Sequence, residues 1–367
     1  NVYGGYTAGA GDSTKNTVTI AGASKVKNVY GGYVTAANAK ADGNTVNIES
    51  GSTVSGHIYG GYANGSGTTT NNTVNLGDAD HTDFAGTTLT NSEIHGGNKS
   101  SVTGNTLNVN AKNIAAKSVG NFENYKFKLN SATAFGDTML TVANAGAFDG
   151  TGVDMNKITV DRTGLSADYL ATQHGIKRMT LLKRSNDTDT LTFQNYAARG
   201  EAATATETHE FRFVTNNGTD TANALMLEAS RFKDSHVTYD GTTPTFGGEV
   251  YGGLSRFGHT TTGNTLSVKG KPISGTPLSY AYGGKNEGAT GDVKDNTATL
   301  ELPANTSAIK DIYGGKITNA ANAGEVSGNI VNMKRGTVEY AVGGQTDGTG
   351  AAKNNTATIS GSITAND

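Results

Sequence analysis

The chain has no cysteine, no tryptophan, only 4 prolines in 367 residues, and 17% charged residues. Without cysteine there is no disulfide, no thiolate nucleophile and no cysteine-based metal site. Low charge and little proline, beside many β-branched residues in alternating runs, argue against a disordered chain. No apolar run reaches the length of a membrane-spanning helix. A net charge of −3, with no basic run, removes the electrostatic footprint of a nucleic-acid binder. Only 35% of the residues are hydrophobic, which is poor material for a compact core. A thin solenoid asks for less, one small apolar residue per inward position.

What is abundant is glycine, 51 residues, and much of it falls in one recurring stretch. Val2-Tyr3-Gly4-Gly5-Tyr6 returns as Val29-Tyr30-Gly31-Gly32-Tyr33 and Ile58-Tyr59-Gly60-Gly61-Tyr62, then in worn form as Ile94-His95-Gly96-Gly97. After a long gap come Val250-Tyr251-Gly252-Gly253, Ala281-Tyr282-Gly283-Gly284, Ile312-Tyr313-Gly314-Gly315 and Ala341-Val342-Gly343-Gly344. The spacings are 27, 29 and 36 residues in the first block and 31, 31 and 29 in the second. A repeat of that period points to a solenoid.

Each copy is followed, after 7 to 13 residues rich in Gly, Ala, Thr and Asn, by an alternating segment that opens with asparagine. The first block has Asn16-Thr17-Val18-Thr19-Ile20 and its equivalents from Asn44, Asn72 and Asn105; the second starts them at Asn264, Asn296, Asn329 and Asn355. Strict alternation predicts strands with one buried face. With a third short strand per turn, as at Ser24-Lys25-Val26 or Ser52-Thr53-Val54-Ser55, the pattern predicts an all-β chain. Its fold class is a parallel β-helix (solenoid) with about 27–31-residue repeats and an irregular β-rich middle section. Residues 1–120 form the first repeat block, 121–249 the irregular turns or an inserted subdomain, and 250–367 the second block. Solenoids need capping turns, and none is visible at either end, so the chain is expected to be part of a larger protein.

The eight asparagines Asn16, Asn44, Asn72, Asn105, Asn264, Asn296, Asn329 and Asn355 share the parity of the apolar positions. They are expected to point inward and stack as an amide ladder, each satisfying the next. The Gly-Gly pair reads as a corner or bulge needing positive φ or close backbone approach. It lacks the following helix and lysine of a phosphate-cradling loop, and no cofactor is expected. Parity places Tyr3, Tyr30 and Tyr59 outward as an exposed row, with Tyr251, Tyr282 and Tyr313 doing the same in the second block. A second row, Tyr6, Tyr33 and Tyr62, exists only in the first block; Leu254, Lys285, Lys316 and Gln345 stand in its place later. Two readings of the rows stay open: aromatics that stiffen the turns, or a stacking platform for a glycan or a partner protein. The outward Thr/Asn pairs of the ladder strands suit a soluble strand face.

Residues 121–249 break the period. Strands are expected from Asn121 to Leu129 and at Thr138–Val142, Lys157–Val160, Arg178–Leu182, Thr190–Phe193, Glu210–Val214, Leu225–Leu227 and His236–Tyr239, with a short helix at Ser166–Gln173. Charge is concentrated here, so this section rivals the tyrosine rows as a binding region. Catalytic signatures are missing. Asn186-Asp187-Thr188-Asp189-Thr190 lacks the glycine and closing glutamate of a calcium loop, and the seven histidines show no metal-ligand spacing. Asp154, Asp161 and Arg162 are the acidic and basic groups that a polysaccharide-active β-helix enzyme would have to bring together. No enzyme activity and no metal are expected.

The Asn-Thr-Val strands followed by Val-Tyr-Gly-Gly-Tyr turns resemble the passenger region of bacterial autotransporter (type V secreted) adhesins. So does the strand at 121–129 followed by Gly136-Asp137-Thr138-Met139-Leu140-Thr141-Val142. The resemblance implies a right-handed β-helix on the bacterial surface, outside the cell, with a membrane β-barrel on a further C-terminal part that alone attaches it to the membrane. It implies adhesion to cell-surface glycans or proteins. A purely structural filament or spacer is the alternative, and a polysaccharide-active enzyme a third. Open solenoid ends also offer a route to self-association.

Overall fold

The computed structural model describes residues 1–134, 136–144, 152–165, 175–198, 200–242, 245, 247–272, 276–303, 309–361 and 363–365. The chain is all-β, and among the described residues helix is confined to the short 3-10 turns Met155–Lys157 and Tyr196–Ala198. The helix expected at Ser166–Gln173 lies outside the described residues. The chain forms two compact units. One comprises Asn1–Leu170, Arg178–Ala203 and Arg212–Leu227; the other comprises Ala171–Lys177, Thr204–Phe211 and Glu228–Asp367.

In the first unit, the glycine-containing strands Val2–Thr7, Val29–Val34 and His57–Ala63 pair in parallel, followed by Leu89–His95. Register is residue for residue: Tyr3 on Tyr30, Tyr30 on Tyr59, Tyr59 on His95. The ladder strands Thr17–Ile20, Thr45–Ile48, Thr73–Leu76 and Thr106–Val109 stack likewise. The irregular section continues this sheet, with Asn124–Lys128 on Thr106–Val109 and Ile158–Asp161 beyond it. One apolar column therefore runs Val18, Val46, Val74, Leu107, Tyr125, Ile158, and every member is buried. Each such Val or Leu stabilises the fold by roughly 1.5–3 kcal/mol. A solenoid reaches stability by repeating that small gain.

Among the described residues of the second unit, three parallel sheets carry the repeats. One holds Glu249–Ser255, Tyr280–Asn286, Asp311–Ile317 and Tyr340–Thr346; another runs from His236–Tyr239 through Thr265–Val268, Thr297–Glu301 and Ile330–Val338 to Thr356–Ile359. The third is built of two-residue strands such as Thr261–Thr262 and Val293–Lys294. Its place in the repeat differs from that of the first unit. There the short strand Lys25–Val26 follows the ladder strand, whereas here it precedes the ladder asparagine.

The corner residue is also not where the glycine pairs suggest. The Gly-Gly pairs lie outside the left-handed region, and all but Gly96-Gly97 lie inside strands. The left-handed residue is the one just before each ladder asparagine: Lys15, Gly43, Asn71, Gly104, Gly263, Asp295, Gly328 and Asn354, with φ between 54° and 69°. Gly, Asn and Asp, which tolerate that conformation best, fill seven of the eight positions. The chain is a parallel β-solenoid repeat protein.

Candidate functional site

The predicted asparagine ladder is present in both units. In the second, Asn264 Nδ2 donates to Asn296 Oδ1 at 2.8 Å, Asn296 to Asn329 at 2.9 Å and Asn329 to Asn355 at 2.9 Å. Each Oδ1 also accepts the backbone N–H of the preceding rung's asparagine, as from Asn264 N to Asn296 at 3.1 Å. The remaining amide hydrogen goes to a carbonyl of the chain, Asn296 Nδ2 to Thr261 O at 3.0 Å. In the first unit the rungs Asn16, Asn44, Asn72 and Asn105 are joined at 2.9, 3.2 and 3.4 Å. A buried amide with every hydrogen-bonding group met is a structural element.

The glycine pair is explained by the same geometry. A Cβ on Gly284 would lie 2.5 Å from Cγ of Asn296, and one on Gly315 equally close to Asn329. A Cβ on Gly283 would lie 2.5 Å from the carbonyl oxygen of Gly314 one rung on. The first glycine makes room for the next rung, the second for the amide ladder. Close approach, not positive φ, is the requirement.

The tyrosines form the expected rows, but not the expected surface. Tyr3, Tyr30 and Tyr59 stack at centroid distances of 5.1 and 5.8 Å, and His95 continues the row at 4.9 Å. Tyr6, Tyr33 and Tyr62 stack beside them at 5.5 and 5.0 Å, edge-on to the first row. Ring faces within a row are therefore covered by neighbouring rings, and a sugar laid flat on those faces has no place between rungs. Tyr6 is 54% exposed, while Tyr30 is buried and Tyr59 half-buried. Burial, with the neighbouring Tyr62, Glu93 and Tyr30 adding to it, pushes the Tyr59 hydroxyl up to about 12.

In the second unit the exposed row does not exist. Tyr251, Tyr282 and Tyr313 stack at 5.7 and 5.3 Å but are buried, packed with Ile176 and Leu254. The covering residue comes from the aperiodic section, which repeat parity cannot anticipate. Lys285 and Lys316, in the places of the second tyrosine row, lie over these rings, Lys285 Nζ at 4.8 Å from the Tyr282 centroid and Lys316 Nζ at 4.4 Å from that of Tyr313.

Around them is an ionic chain that sequence reasoning missed. Lys285 Nζ pairs with Glu249 at 2.8 Å and Glu287 at 2.9 Å; Arg256 pairs with Glu287 and, at 3.2 Å, with the fully buried Glu228. Burial opposes the charge on Glu287, but Arg256 and Lys285 outweigh it and hold the carboxyl below its usual range. Glu210, also buried, is pushed upward by desolvation although it accepts from the backbone N–H of Arg256 and Phe257 and from Ser230 and Ser255. Burial first, then Glu249, raises Tyr251 and Tyr282 strongly. These carboxylates converge, yet each is spent on an internal partner.

The remaining candidates are local devices. Asp161 accepts from Thr163 N at 2.9 Å, and Asp154 caps the turn Met155–Lys157. Asp189 pairs with the buried Arg184 at 2.8 Å. His81, assigned no partner from spacing, sits between Asp78 at 2.9 Å and Glu49 at 3.6 Å. A second ladder, also unforeseen, runs along the outward strand positions: Asn75 Nδ2 to Asn47 at 2.7 Å and Asn108 to Asn75 at 2.6 Å.

The first unit contains a cleft of about 730 Å³ where the last repeat meets the irregular section. Its lining comes from residues 98–102, 121–125, 152–157 and Gln194. Lys157 Nζ reaches Glu123 at 2.7 Å across the wall, and Glu123 accepts Gly104 N at 2.7 Å, which together hold its carboxyl below the usual range. Comparison with protein-family models, curated proteins and solved structures gave no match.

Proposed function

We propose that the chain is a segment of a bacterial cell-surface adhesin of the autotransporter (type V secreted) kind, displayed outside the cell and attached through a membrane barrel in a further part of the protein. The observation that supports this reading is the rung-by-rung satisfaction of the interior. Each turn finds its hydrogen-bond partners in the next turn, through the asparagine ladder and in-register strands. Such a structure assembles progressively and needs no disulfide, which suits a chain that crosses a membrane unfolded and folds outside. Exposed side chains such as that of Tyr6, 54% exposed, are accessible for contact with cell-surface glycans or proteins. The test is binding of the purified chain to intact epithelial and bacterial cells by flow cytometry. Saturable binding is expected; its absence on every cell type would contradict the adhesin reading.

A second reading, a structural spacer, is favoured by one observation. The tyrosine faces that a ligand would use are already stacked on one another.

A further inference from the structure

The outer tyrosine row of the first unit holds phenols in register and within reach of solution. Tyr33 and Tyr62, one 29-residue repeat apart, stand side by side on paired strands, with ring centroids 5.0 Å apart and planes 5° from parallel. Tyr6 continues the row from Tyr33 at 5.5 Å and 16°. Rings related so nearly by translation place each ortho carbon about one centroid separation from its counterpart. Tyr33 and Tyr62 are half-buried, so their edges meet solvent. Other tyrosines have only one of these two properties. Tyr251, Tyr282 and Tyr313 stack at 5.7 and 5.3 Å but are buried, the first two donating their hydroxyls to Glu249 and the third to Asp311. Tyr340 is 57% exposed, but its register partner on the neighbouring strand is Asp311, not a phenol.

Cysteine, methionine, tryptophan and tyrosine are the side chains that lose electrons most readily. This chain has no cysteine and no tryptophan, and of its 5 methionines only Met226 is half-buried, the others being 1% exposed or less. Oxidation follows access, so it falls on the accessible phenols. We propose that Tyr33 and Tyr62, with Tyr6 as the next member of the row, are a modification site at which a haem peroxidase and hydrogen peroxide form a dityrosine staple between successive rungs. Each of two phenols gives up one electron and its O–H proton, which leaves phenoxyl radicals with spin on the ortho carbons. Ortho carbons of the two rings join in a C–C bond, and the hydrogen each carried moves to its own phenoxyl oxygen, restoring both phenols. The two electrons and two protons reduce one hydrogen peroxide to two waters. Side-chain rotation, fast for exposed groups, closes the remaining distance. The bond restricts the unfolded chain as a disulfide does, in a protein with no cysteine to make one. The staple does not depend on what the chain binds.

The test treats the full chain, dilute and folded, with a haem peroxidase and hydrogen peroxide, then isolates the monomer by size exclusion. Dityrosine is read by its fluorescence, and the linked residues are mapped by mass spectrometry of a protease digest. Tyr33→Phe keeps a ring in the stack and removes the phenol common to both pairs of the row; Tyr340→Phe removes an exposed phenol outside it. Circular dichroism checks the β structure of both variants. The expected result is dityrosine in the monomer joining Tyr33 to Tyr62 or to Tyr6. It is lost in Tyr33→Phe and kept in Tyr340→Phe, and the treated protein unfolds at higher urea only where Tyr33 is present. Absence of dityrosine from the monomer, a linkage mapped to Tyr251, Tyr282 or Tyr313, or an undiminished yield in folded Tyr33→Phe would overturn the proposal. The map of the unsubstituted chain decides the matter even where a variant fails to fold.

Discussion

Gly284 and Asn296 share one volume: the space where a Gly284 side chain would begin is filled by the Asn296 amide, 2.5 Å from the ideal Cβ position. The two motifs of the repeat are therefore one device. Gly284→Ala is expected to cost about 3 kcal/mol by overpacking. Asn296→Ala should cost a similar amount, because its removal strands the Asn264 amide groups, at roughly 1–3 kcal/mol for each unsatisfied group. The double variant should be less destabilised than the sum by at least about 1 kcal/mol, since alanine at 296 leaves room for alanine at 284. Urea unfolding of the four proteins measures this; strict additivity would show the coupling to be absent.

The left-handed corner makes a second prediction, with opposite signs at equivalent rungs. Lys15 has φ 57° and is exposed, and Gly43 occupies the same corner one rung on with φ 67°. Lys15→Gly should raise stability by about 1 kcal/mol, and Gly43→Ala should lower it by at least that much. Both are read from the urea midpoint. A loss of stability in Lys15→Gly would contradict the assignment of strain to this position.

Period and alternation made the fold legible: the strands of both blocks, the inward asparagines and the parallel register all follow from spacing. The left-handed position was also written in the sequence, as Gly, Asn or Asp before seven of eight ladder asparagines. The glycine pair leaves a left-handed turn and a close backbone approach equally open in the sequence, because glycine serves for both. Tyr251, Tyr282 and Tyr313 could not be placed from the repeat, since what buries them, Ile176, comes from a section with no period. The Glu228–Arg256–Glu287–Lys285 chain and the cleft were hidden for the same reason. Both are assembled from residues far apart in sequence, and no local pattern encodes such a meeting.

Alkaline titration distinguishes the tyrosines. A phenol whose folded pKa is raised favours folding below its ordinary value of 10.0, and that contribution is lost as pH climbs through the folded value, about 12 for Tyr59. Stability should therefore fall between pH about 10 and 12. Absorbance at long ultraviolet wavelength should show Tyr251 and Tyr282 ionising only together with loss of β structure. Ionisation of every tyrosine near the ordinary value, with the fold intact, would contradict their burial.

Lys285→Ala tests the ionic chain. Lys285 is 6% exposed and serves both Glu249 and Glu287, so its removal leaves two half-buried carboxylates without that partner and should cost about 1–3 kcal/mol at pH 7. Glu287 is depressed in the native protein, so its contribution is present above the ordinary carboxylate value and lost as pH falls through the folded one. The deficit of the variant should consequently shrink in acid, where the carboxylates are protonated. A deficit equal at pH 7 and in acid would assign the effect to lost packing over Tyr251 and Tyr282.

The most direct test is cell binding by the intact chain beside a variant carrying Tyr6→Ala, Tyr33→Ala and Tyr62→Ala, with the β structure of both checked by circular dichroism. The stacked rings belong to the frame, so saturable binding by the intact chain and nearly full retention by the folded variant are expected. Absence of binding by the intact chain, or binding lost with the tyrosines in a folded variant, would contradict this.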